Sequence, residues 1–215
     1  MADSSYPILA REGWRHSVLA VAMATAVHYF AGPVWAVPFW IVAVFIIQFF
    51  RDPPRSIPDA PNAVICPADG KVIALGEMED PYLKRPSKRV SIFMNVFNVH
   101  SNRSPAAGEI KERWYSRGKF VNAALDKASL DNERNALWIR TDQGQDIVVV
   151  QVAGLIARRI LCYAQPHGRI SRGERYGFIR FGSRVDVYLP LNAQFEVSLG
   201  DSVRGAADII ARFIS

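Results

Sequence analysis

The sequence predicts a mainly β protein, a sandwich or barrel, preceded by a hydrophobic helical segment that anchors it to a membrane. Three observations lead there. Residues Ser17 to Phe50 contain no Asp, Glu, Lys or Arg. Residues Arg51 to Pro61, RDPPRSIPDAP, carry four prolines and cannot continue a helix. From position 62 onward the chain breaks into short β-branched and aromatic runs separated by turn formers. The expected organisation is a polar segment over 1–16, a hydrophobic anchor over 17–50, a Pro-rich linker over 51–61 and a β-rich catalytic domain over 62–215.

Within the anchor, Gly32 and Pro33, then Pro38, divide the apolar run into two arms. Each arm falls short of, or barely reaches, the roughly 17 to 25 residues that span a bilayer. A hairpin entering one leaflet and a pair of tilted spans joined at Ala31-Gly32-Pro33 both satisfy the backbone, and both bring the two ends together. Arg11, Arg15 and His16 precede the run and Arg51 and Arg55 follow it, a distribution that places both ends on the cytoplasmic side of the cell membrane. Trp14, Trp35 and Trp40 suit interface depth, and His28 suits a position facing the partner arm. The run is too long for a cleaved signal peptide and closes on no A-x-A site before Arg51.

In the domain that follows, AVIC, KVIAL, RVSIFMNVF, GEIKERWY, ALWIRT, DIVVVQVAGLIARRI, GFIRFGSRVDVYL and FEVSL read as strands. TDQGQD at 141–146 and the Ser104 to Gly108 stretch read as hairpin turns. Val121 to Lys127 is the one convincing helical stretch, and Ile209 to Ile214 reads as a final helical turn.

The net charge of +6 comes from basic residues scattered along the chain, among them Arg51, Lys84, Lys88 and Arg158, with no block that would track nucleic acid. Beside an anchor, such a surface fits an anionic lipid leaflet, where each Lys or Arg is worth about 1 kcal/mol, as well as it fits a merely solvated basic face. Cys66 and Cys162 stand in no CxxC or CxxH pattern. They read as buried free thiols, with no disulfide and no metal site.

Three segments offer an acid, a base and a nucleophile: Pro67-Ala68-Asp69-Gly70, Phe97-Asn98-Val99-His100-Ser101 and Phe181-Gly182-Ser183. Taken singly each has an ordinary explanation. Asp69 suits an Asx-turn between strands, His100 a structural histidine at a strand end, and the Gly-Ser pair a bulge. Together they change meaning, because PADGKV, FMNVFNVHSNRSPAAG, ARRI and ERYGFIRFGSRVDVYLP, with the hydrophobic segment before them, resemble the short bacterial form of the phosphatidylserine decarboxylase family. The resemblance runs from about Ser17 to about Leu199, and RFGSRVDVYLP is its most specific piece.

That resemblance implies a self-processing triad of Asp69, His100 and Ser183. Ser183 would be the nucleophile, His100 the general base that activates it and Asp69 the carboxylate that orients the imidazole. Ser183 Oγ would attack the Gly182 carbonyl, whose missing side chain leaves access open. Elimination would then separate residues 1–182 from 183–215, the two chains remaining associated. Ser183 would become a covalent pyruvoyl group, the Schiff-base site for the amine of phosphatidylserine and an electron sink. Phosphatidylethanolamine and CO2 would be the products, with His100 a candidate proton donor. Two departures from the family pattern stand out. Arg184 follows Ser183 where many members have Thr, and it is a candidate for attracting the substrate carboxylate or phosphate, beside the plainer fates of packing or a surface ion pair. Phe97 occupies the slot of a second histidine, and His167 reads as a loop residue.

Two rival readings use the same residues. A membrane-tethered serine hydrolase would turn Asp69, His100 and Ser183 on an external substrate, although Ser183 lies in no G-x-S-x-G elbow. A non-catalytic β-rich membrane scaffold would leave the chain intact. Oligomeric state and the residues that grip the phosphate are not legible.

Overall fold

The computed structural model describes residues 6–118, 123, 132–154, 160–180 and 182–214. The helix expected over Val121 to Lys127 falls outside the described residues except for Ala123, and Phe181, Arg158 and Arg159 lie outside them too. The chain divides into two compact units, Asp3–Pro54 and Arg55–Ser215, and the boundary falls inside the Pro-rich stretch.

In the first unit two helices, α1 (Trp14–Ala31) and α2 (Pro33–Phe49), form a hairpin around Gly32. Gly32 has φ +93°, a conformation open to glycine, and Pro33 supplies the pre-set φ of a first helical position. Pro38 does not break the second arm; α2 continues through it. Small residues make the close approach: Ser17 and Ala24 on α1 and Ala36 and Ala43 on α2 are buried. The ends are tied where Ala10 N–H donates to the Phe50 carbonyl at 2.8 Å and His16 stacks on Phe50. Outward, Leu19, Phe30, Trp35, Ile41 and Val44 stay exposed.

Of the two geometries left open by the sequence, the pair of tilted spans finds no support. No described helix is long and apolar enough to cross a membrane. At 1.5 Å per residue the two helices reach about 27 and 26 Å against a hydrocarbon core of about 30 Å, and Arg15 and His16 occupy the first turn of α1.

The second unit is built from strands β1 (Ala63–Ile65), β2 (Gly70–Asp80), β3 (Arg85–Met94), β4 (Ser101–Arg103), β5 (Gly108–Ser116), β6 (Arg134–Thr141), β7 (Asp146–Val152), β8 (Ile160–Cys162), β9 (Arg169–Ile170), β10 (Arg175–Ile179), β11 (Ser183–Leu189), β12 (Ala193–Phe195), β13 (Ser202–Val203) and β14 (Ile209–Phe213). An eight-stranded sheet has the order β13-β2-β3-β11-β7-β6-β5-β9; two three-stranded sheets run β1-β14-β12 and β4-β10-β8.

Three local expectations change. Ile209 to Ile214 is the strand β14 rather than a helical turn, because its backbone pairs with both β1 and β12. The Ser104 to Gly108 stretch is no hairpin, since it carries the chain from β4, which pairs with β10, to β5, which pairs with β6 and β9. His100 does not end the apolar strand; β3 stops at Met94, and a turn over Asn95 to Asn98 leads to His100 just before β4. TDQGQD does join β6 to β7 as a hairpin, with Gly144 at φ +78°.

Alternation along the strands explains how the core sits. On β11, Val185, Val187 and Leu189 join the main cluster with Val90, Ile92 and Met94 of β3, Ile147 and Val149 of β7 and Ile179 of β10. Tyr188 of β11 and Val148, Val150 and Val152 of β7 form a second cluster on the opposite face, partly covered by Tyr82, Leu83, Trp114 and Trp138. The large sheet is therefore buried on both faces along β7, and this is why DIVVVQV reads as nearly continuous apolar sequence.

Candidate active site

Ser183 opens β11, the fourth strand of eight, with Met94 of β3 as its Cα partner. Side chains two apart share a face, so Ser183 lies on the face of Val185 and the main core, the face against which the β4-β10-β8 sheet packs. It is fully buried, and its Oγ has no hydrogen-bond partner among the described residues. Gly182 before it sits at φ +56° with open space where a side chain would project.

His100 stands just before β4, an edge strand of the small sheet. Its carbonyl accepts from Ile179 N–H, three residues before Gly182, and its ring lies against Phe178 at 6.3 Å between centroids. The imidazole is fully buried, with Nδ1 2.9 Å from the Asn98 carbonyl. A carbonyl only accepts, so Nδ1 carries a proton, and a ring protonated there alone has its lone pair on Nε2. The acceptor at Nδ1, the place expected for the Asp69 carboxylate, is thus a backbone carbonyl.

Asp69 stands just before β2, two strands from Ser183 across β3, about 10 Å by strand spacing. Its Oδ2 accepts from Arg55 at 2.7 Å and its Oδ1 from Gly205 N–H at 2.7 Å. Arg55 belongs to the Pro-rich stretch and Gly205 to the segment after Ser183, so Asp69 joins three parts of the chain.

Of the fates open to Arg184, the structure shows an ion pair, buried rather than at the surface. Alternation points it to the face opposite Ser183, where it is 1% exposed. There its guanidinium makes a two-point pair with Asp186, Nε to Oδ1 at 2.9 Å and Nη2 to Oδ2 at 3.1 Å, and Nη1 donates to the Ala123 carbonyl. It is committed to the protein rather than presented to a substrate. Phe97 is exposed at the turn, as is His167, at φ +64° between β8 and β9.

Sequence reasoning missed several residues that build this site. Gly154 packs on the Gly182 carbonyl, Arg55 holds Asp69, and Asn102 and Gln151 lie buried beneath β11. Gln151 left a trace, as a polar residue interrupting the apolar run of β7 that starts at Ile147.

Fold and site together define a β-rich protein with a fully buried serine at the start of a central strand, directly after a left-handed glycine. The phosphatidylserine decarboxylase family model matches residues 42–211. A phosphatidylserine decarboxylase proenzyme of Nitrosomonas europaea is 58% identical over 97% of this chain and 96% of its own length. Proteins of the same description from Nitrosomonas eutropha (56% identical, 99% of this chain and 100% of the relative) and Aromatoleum aromaticum (57%, 96% of each) are equally similar. The chain belongs to the phosphatidylserine decarboxylase family.

Proposed function

We propose that this chain is a proenzyme that cuts itself between Gly182 and Ser183 and then decarboxylates phosphatidylserine to phosphatidylethanolamine and CO2. The observation that carries the reading is the placement of Ser183: a fully buried hydroxyl with no hydrogen-bond partner among the described residues, following a left-handed glycine at the start of a doubly paired strand.

His100 Nε2 takes the Ser183 proton, and Ser183 Oγ adds to the Gly182 carbonyl. Breaking the amide converts it to an ester and frees the Ser183 nitrogen. Loss of the Cα proton then expels the Gly182 carboxylate as the new end of residues 1–182. The dehydroalanine left at 183 takes up water and releases ammonia, leaving a pyruvoyl group. Asp69 steadies the processed protein, because it grips Gly205 of the 183–215 segment from within 1–182. The two chains stay associated for a stronger reason still: β11 is paired on both sides, with β3 and β7.

The residues fit a pyruvoyl group, since the serine that would form it is buried, unbonded at Oγ and held at the start of a doubly paired strand. That group supplies the electron sink for loss of CO2. His100 returns a proton from its Nε2 after CO2 is lost. A serine hydrolase acting on outside substrates is disfavoured because Ser183 opens a doubly paired strand and lies in no G-x-S-x-G elbow.

The hairpin completes the reading. Two helices that expose Leu19, Phe30, Trp35 and Ile41 and are too short to span fit an anchor entering one leaflet of the cell membrane, with the catalytic unit on the cytoplasmic side. The test is a denaturing gel with intact mass, joined to CO2 release from phosphatidylserine vesicles. The expected result is a fragment spanning 183–215 with a blocked amino end, absent in Ser183→Ala; an intact active chain would overturn the proposal.

A further inference from the structure

Three buried amide side chains run beneath the site in one hydrogen-bonded line. Asn135 Nδ2 of β6 donates to Gln151 Oε1 of β7 at 3.0 Å, and Gln151 Nε2 donates to Asn102 Oδ1 of β4 at 2.8 Å. Gln151 Nε2 also lies 3.2 Å from the Leu161 carbonyl of β8, and Asn102 Nδ2 points to Met94 Sδ at 3.9 Å. At its outer end Arg113 Nε donates to Asn135 Oδ1 at 2.8 Å. Asn102, Asn135 and Gln151 are each fully buried.

The line crosses between two sheets, and the catalytic residues sit one on each. Gln151 pairs in register with Val185, two residues beyond Ser183 on β11. Asn102 lies two residues beyond His100, and Met94 is the cross-strand partner of Ser183. Gly177 of β10 makes the crossing passable: a Cβ there would collide with the Gln151 amide and the Leu161 carbonyl, so only a bare backbone lets Gln151 reach over β10. Hydrophobic packing holds two sheets together without fixing their offset to a fraction of an ångström. A directional amide contact fixes it.

We propose that the Asn135–Gln151–Asn102 line is a positioning device that sets His100 against Ser183 for self-cleavage. The inference rests on the reading that His100 activates Ser183. Gln151 and Asn102 are positioning residues and touch none of the reacting atoms. A misplacement near 1 Å costs on the order of a hundredfold in rate, and this is the effect that loosening the line should have.

The experiment follows the appearance of the 183–215 fragment in freshly made full-length chain, as a rate constant for folded molecules, alongside the melting temperature. Gln151→Met and Asn102→Leu keep size but remove the bonds, and each is expected to slow cleavage at least tenfold. The double variant is expected to be no slower than either alone, since one line is broken once. Asn102→Asp keeps the acceptor for Gln151 and is expected to cleave within about threefold of the unaltered chain, whatever it loses in melting temperature. Ile139→Ala, buried on β6 away from the line, is the control that lowers melting temperature without slowing cleavage. If Gln151→Met fails to fold, the contrast between Asn102→Leu and Asn102→Asp carries the test. Cleavage at the unaltered rate in the apolar variants, with His100→Ala inactive, overturns the positioning role alone. Cleavage at the unaltered rate in His100→Ala overturns the reading beneath it.

Discussion

Gly154 packs so closely on the carbonyl oxygen of Gly182 that a methyl group at position 154 would overlap that oxygen. The proposed reaction begins at this carbonyl, so the glycine that ends the β7 segment shapes the electrophile. Gly154→Ala must push the Gly182 peptide aside, at a cost of about 1–3 kcal/mol in stability, and it should slow self-cleavage by on the order of a hundredfold. Gly182→Ala meets open space and bears only the left-handed backbone penalty of about 1–2 kcal/mol. A gel time course paired with urea unfolding of both variants checks this. Equal cleavage rates in Gly154→Ala and the unaltered chain would remove Gly154 from the site.

Ser183→Ala should do two things at once. It removes the nucleophile, so no 183–215 fragment forms. It also removes a buried hydroxyl that has no partner among the described residues, relieving a desolvation cost of about 1–3 kcal/mol. Measured against another uncleaved variant such as His100→Ala, Ser183→Ala should unfold at higher urea. A lower midpoint would mean that the hydroxyl is well accommodated and its burial carries no strain.

Much of this architecture could be read from residues alone, and the exceptions have physical causes. The two helical arms, the Pro-rich break and most strands follow from runs whose period and punctuation are local. Ile209 to Ile214 was misread because five apolar residues without alternation suit a helix or a strand equally, and only pairing with β1 and β12 decides. Arg184 stayed open between a substrate contact and an ion pair, although its neighbour in sequence, Ser183, points the other way on the same strand. Alternation predicted that separation once the strand began at Ser183, but the Gly-Ser pair obscured where it began. The amide line stayed hidden for a different reason. Asn102, Asn135 and Gln151 lie on three strands, and no local pattern joins them.

Arg184 and Asp186 should behave as a structural pair. Both are 1% exposed, and their side chains lie two residues apart on the face of β11 away from Ser183. Asp186→Asn or Arg184→Met leaves one charge buried without its counterpart, a loss of about 3–5 kcal/mol. Replacing both, Arg184→Met with Asp186→Leu, should recover most of that loss, because an apolar pair bears no desolvation cost. Urea denaturation of the three variants checks the cycle. If the double variant is as unstable as the worse single one, the pair does more than neutralise itself.

Alkaline stability should be set first by thiols and then by tyrosines. Burial pushes the Cys66 thiol well above its ordinary 9.0, with nearby Asp69 and Asp208 adding to the rise and a hydrogen bond to the Ala68 carbonyl opposing it. Burial likewise raises the Tyr82 phenol to about 12, against the pull of Arg134, and raises Tyr188 and Tyr176. In each case the folded chain keeps a proton that the unfolded chain releases. The stabilising contribution is therefore complete below the unfolded value, near 9.0 for the thiol and 10.0 for the phenols, and is lost as pH rises above it. The urea midpoint should hold level to about pH 9 and then fall, steepening above about pH 10. Burial raises the Cys162 thiol in the same direction, so Cys66→Ala, which also lowers the whole curve by opening a small cavity, should make the decline between about pH 9 and 10 shallower without moving its onset. Midpoints measured at half-unit steps for both proteins decide the matter, and equal slopes over that range would show that Cys66 does not contribute to the first phase.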